Sequence, residues 1–296
     1  MANRIQTLLG VEYPVVQAPM TYIARAELAA AVSEAGGLGM IETLTEDGRA
    51  DLVRVRELTD RPVAANLMIQ GWKRDPSIVD VLAGAGVRHV FTSAGDPALF
   101  TARLHDAGLT VVHVVGSLKG ARKAADAGVD ALVVEGVEGG GFKSLLGAST
   151  MVLLPLIADH VDLPLIAAGG MCDARSAAAA VVLGAEGVQM GTRMLASRES
   201  AVHANFKDAI LDADDAGTVL LDILATRRCG CCALGWRSGS RPTRRTRSCS
   251  AASRSSTSTA TSTRAWRTRD RCPHASSTCF RWPTSCAARG QESRTC

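Results

Sequence analysis

The stretch 164–193 constrains the fold of this chain more than any other part of its sequence. It predicts two strands joined by an alanine-rich helix, in the order Leu165–Ala168, Asp173–Leu183 and Gly187–Met190. Each strand is followed by glycine, at Gly169-Gly170 and at Gly191-Thr192. Glycine lets backbone N–H groups approach an anion closely. Since the loops after the last two strands of a (β/α)8 barrel commonly form a phosphate site, the stretch predicts such a site if six strands precede it.

Six further strands are predicted upstream. Apolar runs rich in β-branched residues alternate with amphipathic stretches, a pattern that indicates strands and helices in turn. The strands are predicted at 15–17, 38–41, 63–67, 89–91, 110–115 and 131–134, and the helices at 25–35, 46–59, 77–85, 97–107, 118–127 and 149–160. Several helices are followed by glycine, as expected of a left-handed C-cap, at Gly36, Gly86, Gly108, Gly128 and Gly184.

The predicted strands are mostly solid apolar runs, which is typical of parallel strands covered on both faces. Eight strand–helix units favour an α/β fold, the (β/α)8 TIM barrel. A doubly wound open sheet is the alternative, because closure of a sheet is not visible in a sequence. The run Gly36-Gly37-Leu38-Gly39 is interpreted as a tight turn at the bottom of the barrel, since it precedes most of its strand.

Composition divides the chain into a barrel at 1–223 and a tail at 224–296. From Arg227 onward, 15 arginines, no lysine and two acidic residues give a charge of +13, which leaves −9 for residues 1–226 of the total of +4. The tail also holds eight of the nine cysteines and almost no aliphatic residue, so we expect an irregular or disordered segment.

Three interpretations of the tail are open. The first is a basic arm that binds nucleic acid without sequence specificity. The second is a metal-binding module, although the cysteines of the tail lack the paired spacing of a zinc site. The interpretation we favour is a frameshifted product, because arginine, serine, threonine, alanine and cysteine with few aliphatics are typical of GC-rich coding sequence read out of frame. Leu224–Gly235 can be encoded so that the adjacent frame reads Pro-Gly-Asn-Pro-Thr-Met-Arg-Val-Leu-Arg-Thr-Gly.

Residues 1–226 are typical of a cytoplasmic α/β domain. They are acidic and contain a single cysteine, Cys172. The start of the chain does not have the pattern of a signal peptide, and no apolar run is long enough to span a bilayer. We therefore expect a small-molecule substrate, no membrane and no specific nucleic acid, while the oligomeric state stays open.

Six short motifs lie at or beside the predicted strands. They are Gln17-Ala18-Pro19-Met20, Gly36 to Gly39, Asn66 in VAANLM, Glu135 to Phe142, Ala168-Gly169-Gly170-Met171 and Gln189 to Arg193. In this order and spacing they resemble the nitronate monooxygenase family, formerly called 2-nitropropane dioxygenases. The enoyl-ACP reductase II enzymes belong to the same group of FMN barrels. The resemblance covers about residues 5–222 and implies an oxidoreductase that holds FMN at the C-terminal face of a TIM barrel.

The resemblance also implies roles for individual residues. Asn66 would hydrogen-bond the flavin ring, which Ala18, Pro19 and Met20 would line. Glu135 would contact the flavin from a strand end, beside Gly140. The phosphate and ribityl chain would lie against Gly169, Gly170, Gln189, Met190, Gly191 and Thr192. A phosphate dianion needs several N–H donors and a hydroxyl, which these glycines and Thr192 offer. No metal site is expected.

Each of these residues also has a purely structural interpretation. Gly169 and Gly170 could be turn glycines, Pro19-Met20 a bend, and Asn66 a helix N-cap. Cys172 is interpreted as a small packing residue. His113 is interpreted as a packed strand histidine rather than one that points into the barrel mouth, and Lys119 as a solvated helix residue.

One position departs from the family pattern. The family's loop after the sixth strand reads E-x-G-G-H-x-G, and its histidine transfers protons, whereas this chain has Phe142 there. Phenylalanine cannot transfer a proton, so the catalytic residue stays unknown, with Glu138 and Lys143 as candidate substitutes. Alkyl nitronates are already carbanionic, so their oxidation by O2 is the predicted activity. NAD(P)H-dependent reduction of an enoyl thioester or quinone is one alternative, and a truncated barrel with little activity is another.

Overall fold

The computed structural model describes residues 3–143, 147–223 and 227–232. Its strands are β1 (Val15–Gln17), β2 (Gly39–Glu42), β3 (Val63–Met68), β4 (His89–Ser93), β5 (Thr110–Val115), β6 (Ala131–Glu135), β7 (Gly141–Lys143), β8 (Leu165–Ala168), β9 (Gly187–Met190), β10 (Thr218–Ile223) and β11 (Arg227–Cys232). Its α-helices are α1 (Arg4–Leu9), α2 (Ala26–Glu34), α3 (Glu46–Leu58), α4 (Ile69–Trp72), α5 (Ile78–Gly84), α6 (Thr101–Asp106), α7 (Leu118–Asp126), α8 (Thr150–Ala158), α9 (Ala174–Val182), α10 (Thr192–Leu195) and α11 (Ala204–Leu211).

Eight parallel strands form a nearly closed barrel, in the order β1-β9-β8-β6-β5-β4-β3-β2. The seam between β1 and β2 is short, with a single bridge from Val16 to Leu38. The side-chain amide of Gln17 strengthens this seam by donating to the carbonyl oxygen of Met40 at 2.8 Å. The predicted TIM barrel is confirmed, and the seam excludes the open sheet.

The pleat of the strands separates two apolar layers. One layer fills the barrel with alternating strand residues such as Met40, Phe91 and Val133, and Ile5 and Leu9 of α1 belong to the same cluster. The other layer lies between the strands and the surrounding helices, and includes Val111 and Val115 of β5. The face on which a strand residue lies therefore decides whether its side chain points toward the barrel interior.

The helix-to-strand turns use glycine where the sequence predicts a left-handed residue. The five glycines expected as C-caps all have positive φ, between +70° and +103°, at Gly36, Gly86, Gly108, Gly128 and Gly184. Gly39 has a different reason to be glycine, because a Cβ there would overlap the carbonyl group of Ala29 on α2. The Gly36 to Gly39 run is thus a turn and close-packing element at the bottom of the barrel, as predicted.

The predicted strands are observed within one or two residues at each end. The helix predicted at 97–107 is instead a 3₁₀ turn at Pro97–Leu99 followed by α6, with Phe100 between them. The short helices α1, α4, α10 and α11 were not predicted. Among the residues that the structure describes, no helix is long and apolar enough to cross a membrane.

A small antiparallel sheet lies beside the barrel, in the order β10-β11-β7. In its register Cys229 is opposite Phe142 and Gly230 is opposite Gly141. Strand β11 thus belongs to the segment beyond residue 223 that the sequence predicts to be irregular. The rest of that segment, 224–226 and 233–296, lies outside the described residues, so the predicted domain boundary stays a prediction.

Candidate functional site

The predicted site residues converge on one face because parallel barrel strands all point their C-terminal ends the same way. Asn66 is the fourth of the six residues of β3, Glu135 ends β6, and Gly169 and Gly170 follow β8. Glu135 is directly opposite Ala168 in the register of β6 and β8, and Ala168 is opposite Gln189 of β9. The structure therefore brings these strand ends together at the C-terminal mouth.

The turn after β8 is held by the hydroxyl of Thr150, the first residue of α8. Its Oγ1 lies 2.8 Å from the carbonyl oxygen of Ala168 and 3.1 Å from that of Gly169. The same oxygen accepts a hydrogen bond from the N–H of Gly136 at 3.2 Å. This residue links the β6 loop, the start of α8 and the end of β8, and it is 4% exposed.

Gly169 and Gly170 are glycine for different reasons. Both have positive φ, +88° and +76°. A Cβ on Gly169 would lie 2.9 Å from Thr150 Oγ1, whereas a Cβ on Gly170 would meet nothing closer than 3.8 Å. The first glycine is required by packing, while the second is required only by its backbone conformation and leaves open space at the mouth.

Glu138 is tied to the start of α8. Its two carboxylate oxygens lie 3.1 and 3.0 Å from the backbone N of Thr150, and Oε2 is 3.1 Å from Thr150 Oγ1. A carboxylate is stabilised by the unpaired N–H groups at a helix N-terminus. Of the two roles considered for Glu138, the structure therefore supports the one that holds the loop.

Gln189 has the chemistry of a ligand-binding residue. It is 5% exposed, and its Oε1 is buried without a hydrogen-bond partner among the described residues. A buried unpaired oxygen is costly unless a ligand supplies a donor. Next to it, Gly191 lies against Ala18, whose Cβ is 3.6 Å from where a Gly191 Cβ would be. A polyhydroxylated phosphate ester such as the FMN side chain fits this donor and acceptor set.

Asn66 is 8% exposed and is not an N-cap. Its Nδ2 donates to the carbonyl oxygen of Phe91 at 2.8 Å and lies 3.3 Å from the hydroxyl of Ser93. Both amide hydrogens therefore have acceptors in the protein. The atom left to bind a ligand is Oδ1, which suits a ring N–H donor.

The remaining predicted residues differ in what they offer. The backbone N–H of Ala18 donates to the carbonyl oxygen of Met190 at 2.9 Å, which joins the loop after β1 to the end of β9. Met190 is buried in the helix-facing layer, so its side chain does not face the barrel. Pro19 and Met20 follow in the loop, Thr192 begins α10, and Gly140 is exposed with no atom within 4 Å of an added Cβ.

His113 does not point into the mouth. It shares the face of Val111 and Val115, and its Nδ1 lies 2.7 Å from the hydroxyl of Thr92. Burial lowers the pKa of His113 to about 4, so the ring is neutral at physiological pH. The prediction of a packed strand histidine is confirmed. His89 lies at the opposite, N-terminal end of β4, and burial likewise lowers its pKa to about 4.

One interpretation was wrong. Cys172 is exposed rather than packed, and its backbone N–H donates to the hydroxyl of Ser176 at 3.0 Å. The reason is local, because the turn after β8 leads out of the barrel before α9 begins. Lys119 is exposed, as predicted. Thr150 was missed, since nothing in the sequence links it to carbonyl groups 18 and 19 residues away.

The fold is that of a TIM-barrel protein, with glycine turns and the buried amide of Gln189 at its C-terminal mouth. The family model for nitronate monooxygenase matches this chain over residues 2–77 and 70–229. The chain belongs to the nitronate monooxygenase family.

Two curated relatives and one solved structure illustrate the family's range. A "(3aS,4S,5R,7aS)-5-hydroxy-7a-methyl-1-oxo-octahydro-1H-indene-4-carboxyl-CoA dehydrogenase" from Mycobacterium tuberculosis is 38% identical over 72% of this chain, which spans 61% of that relative's length. A nitronate monooxygenase from Pseudomonas aeruginosa is 31% identical over 77% of this chain and 78% of its own length. FabK from Thermotoga maritima superposes with a TM-score of 0.74 at 37% identity, over 79% of this chain and 75% of FabK.

Proposed function

We propose that this protein is an FMN-dependent oxidoreductase that oxidises alkyl nitronates with O2 in the cytoplasm. The observation that carries the FMN proposal is the unpaired, buried Oε1 of Gln189 beside the glycine turns after β8 and β9. The chemistry that FMN supplies when bound is electron transfer from the substrate to O2. Gly170, Gly191 and Thr192 would hold the phosphate, Gln189 the ribityl chain, and Asn66 and Glu135 the ring.

The substrate proposal follows from the partners of two candidate proton-transferring groups among the described side chains, His113 and Glu138. The family's proton-transferring histidine is replaced by Phe142. His113 is bound to Thr92 on the helix-facing side of β5, and the carboxylate of Glu138 is engaged by Thr150. A nitronate needs no such group, because the proton next to its nitro group has already been removed. Its oxidation fits this mouth better than a reaction that begins with proton abstraction.

The experiment that tests the proposal is an absorption spectrum of the purified protein, followed by anaerobic titration. We expect flavin absorbance in the visible region, and bleaching on addition of propane-1-nitronate. A protein that stays colourless after incubation with FMN would contradict the cofactor proposal. A yellow protein that nitronate does not bleach would contradict the substrate proposal alone.

A second function is favoured by one comparison. The dehydrogenase from M. tuberculosis, named for a CoA ester, is 38% identical to this chain, against 31% for the nitronate monooxygenase from P. aeruginosa. The alternative is therefore NAD(P)H-dependent oxidoreduction of an enoyl or other acyl thioester. Anaerobic bleaching by NADPH, followed by reoxidation on addition of crotonyl-CoA, would support this alternative over nitronate oxidation.

A further inference from the structure

Tyr22 has an unfavourable backbone conformation in a functional loop. It lies between β1 and α2, at the C-terminal face, and its φ is +69°. The N–H of Ile23 donates to the carbonyl oxygen of Met20 at 2.9 Å, which makes Tyr22 the third residue of a β-turn. A positive φ at that position ordinarily selects glycine or asparagine, since a side chain there is strained.

Packing of the Tyr22 side chain does not offset the free-energy cost of this strain. It is 58% exposed, although a large aromatic ring usually stabilises a fold by being buried. Among the described residues other than glycine, only Tyr22 and Ala94 have positive φ. Ala94 follows β4 directly, so both residues lie in loops at the C-terminal mouth. Such strain in native proteins is concentrated at ligand-binding sites.

The position of the loop connects Tyr22 to the site. The loop begins at Ala18, whose N–H is bonded to the carbonyl oxygen of Met190, and Ala18 lies against Gly191. The turn at Met20 then reverses the chain before α2, so the ring is carried on a short segment anchored beside the cradle. An exposed ring on such a segment offers an apolar surface to whatever enters the mouth.

We propose that Tyr22 is a specificity-determining residue that covers the apolar chain of the bound substrate. This inference rests on the proposed function, since it requires a substrate with an alkyl chain at the mouth. The turn holds the ring at the mouth. The positive φ of Tyr22 in this turn lowers the stability of the protein. The bound chain gains apolar contact and is screened from water by the ring.

Two glycine substitutions test the proposal against a matched control. Tyr22→Gly and Ala94→Gly both remove left-handed strain, so each raises the melting temperature by about 2–4 °C. Only Tyr22→Gly removes a ring. We expect it to weaken binding of hexane-1-nitronate to the FMN-loaded protein at least fivefold, measured by spectral titration. Ala94→Gly should bind the probe as the unaltered protein does, and Tyr22→Phe, which keeps a ring, should bind it more tightly than Tyr22→Gly does.

Hydroxyl-radical footprinting provides a readout that does not depend on turnover. The chain contains two tyrosines, and Tyr13 is 53% exposed at the opposite end of the barrel, beside Gly36. Bound hexane-1-nitronate should protect Tyr22 from oxidation and leave Tyr13 unchanged. Probe that binds without protecting Tyr22, or that binds Tyr22→Gly with unchanged affinity, would overturn the role of Tyr22 alone. Probe that does not bind the FMN-loaded protein at all would overturn the proposed nitronate activity and this inference with it.

Discussion

Gln189 shows how a single residue can favour ligand binding over stability. Its Oε1 is buried without a partner in the described part of the chain, which destabilises the protein when no ligand is bound. Gln189→Met has nearly the same shape and no unpaired oxygen. We expect the free energy of unfolding of this variant without FMN to be higher by about 1–2 kcal/mol. We expect it to bind FMN at least tenfold more weakly.

Differential scanning fluorimetry and fluorescence titration with FMN measure the two effects of Gln189→Met. Gln17→Met is a suitable control, since its amide has a partner in the carbonyl oxygen of Met40. That control should lower the melting temperature and leave FMN affinity unchanged in the folded protein. Unchanged FMN affinity in Gln189→Met would remove Gln189 from the site.

His113 makes stability depend on pH. Burial lowers its pKa to about 4, against 6.5 in the unfolded chain, so the unfolded chain takes up the proton first as the pH falls. Stability contributed by the neutral ring is therefore complete above about pH 6.5 and is lost as the pH falls toward 4. The full loss is about 3 kcal/mol.

Urea unfolding between pH 7.5 and 4.5 tests this dependence. We expect His113→Asn to be less stable at neutral pH and to lose less stability on acidification than the unaltered protein. An unchanged slope in His113→Asn would show that His113 is not the titrating group. His89 keeps part of the dependence, because burial also lowers its pKa.

At the scale of elements, three segments meet at Thr150. Its hydroxyl accepts from Gly136 N–H and faces the carbonyl oxygens of Ala168 and Gly169. Thr150→Val keeps the shape and removes the hydroxyl, which takes away the donor to the carbonyl oxygen of Gly169, while Gly136 N–H keeps the carbonyl oxygen of Ala168 as an acceptor at 3.2 Å. We expect a loss of about 1–3 kcal/mol and weaker FMN binding, because the turn after β8 is no longer fixed.

Thr150→Ser is the matched control, since it keeps the oxygen and loses only a methyl group. Thermal unfolding and FMN titration of the two variants separate the hydroxyl from the methyl. If Thr150→Ser and Thr150→Val bind FMN alike, the hydroxyl does not fix the turn.

Elements buried on both faces were predictable from the sequence. Most of the eight barrel strands are largely apolar runs and several lie next to glycine, so strands such as β5 and β8 were predicted at their observed residues. Helix α1 was not predicted, because its six residues are too few to show a distinct helical periodicity. Gly169 and Gly170 were predictable as turn glycines, and both have the positive φ that such turns require. The role of Thr150 was not, since it depends on distant carbonyl groups that only the closed barrel brings within reach.

At the scale of the whole molecule, the composition of the chain changes where the family resemblance ends. The family match stops at residue 229, close to the junction predicted near Leu224. From Arg227 onward the charge is +13 in a chain whose first 226 residues carry −9. Strand β11 pairs with β10 across this junction, and strand pairing uses backbone groups that any residue other than proline can supply. A frameshift therefore stays compatible with the observed pairing.

We predict that resequencing the gene shows a shifted reading frame near codon 224. Restoring the frame should raise both the melting temperature and the FMN content of the purified protein, because the restored segment would supply packing that the arginine-rich tail does not. A deletion of residues 233–296 without frame repair serves as the control. It removes most of the basic tail but supplies no new packing, so it should abolish salt-sensitive adsorption to DNA and leave FMN content unchanged. Verified DNA that encodes the present tail in an unbroken frame would refute the frameshift, and the tail would then have to be explained as a basic arm.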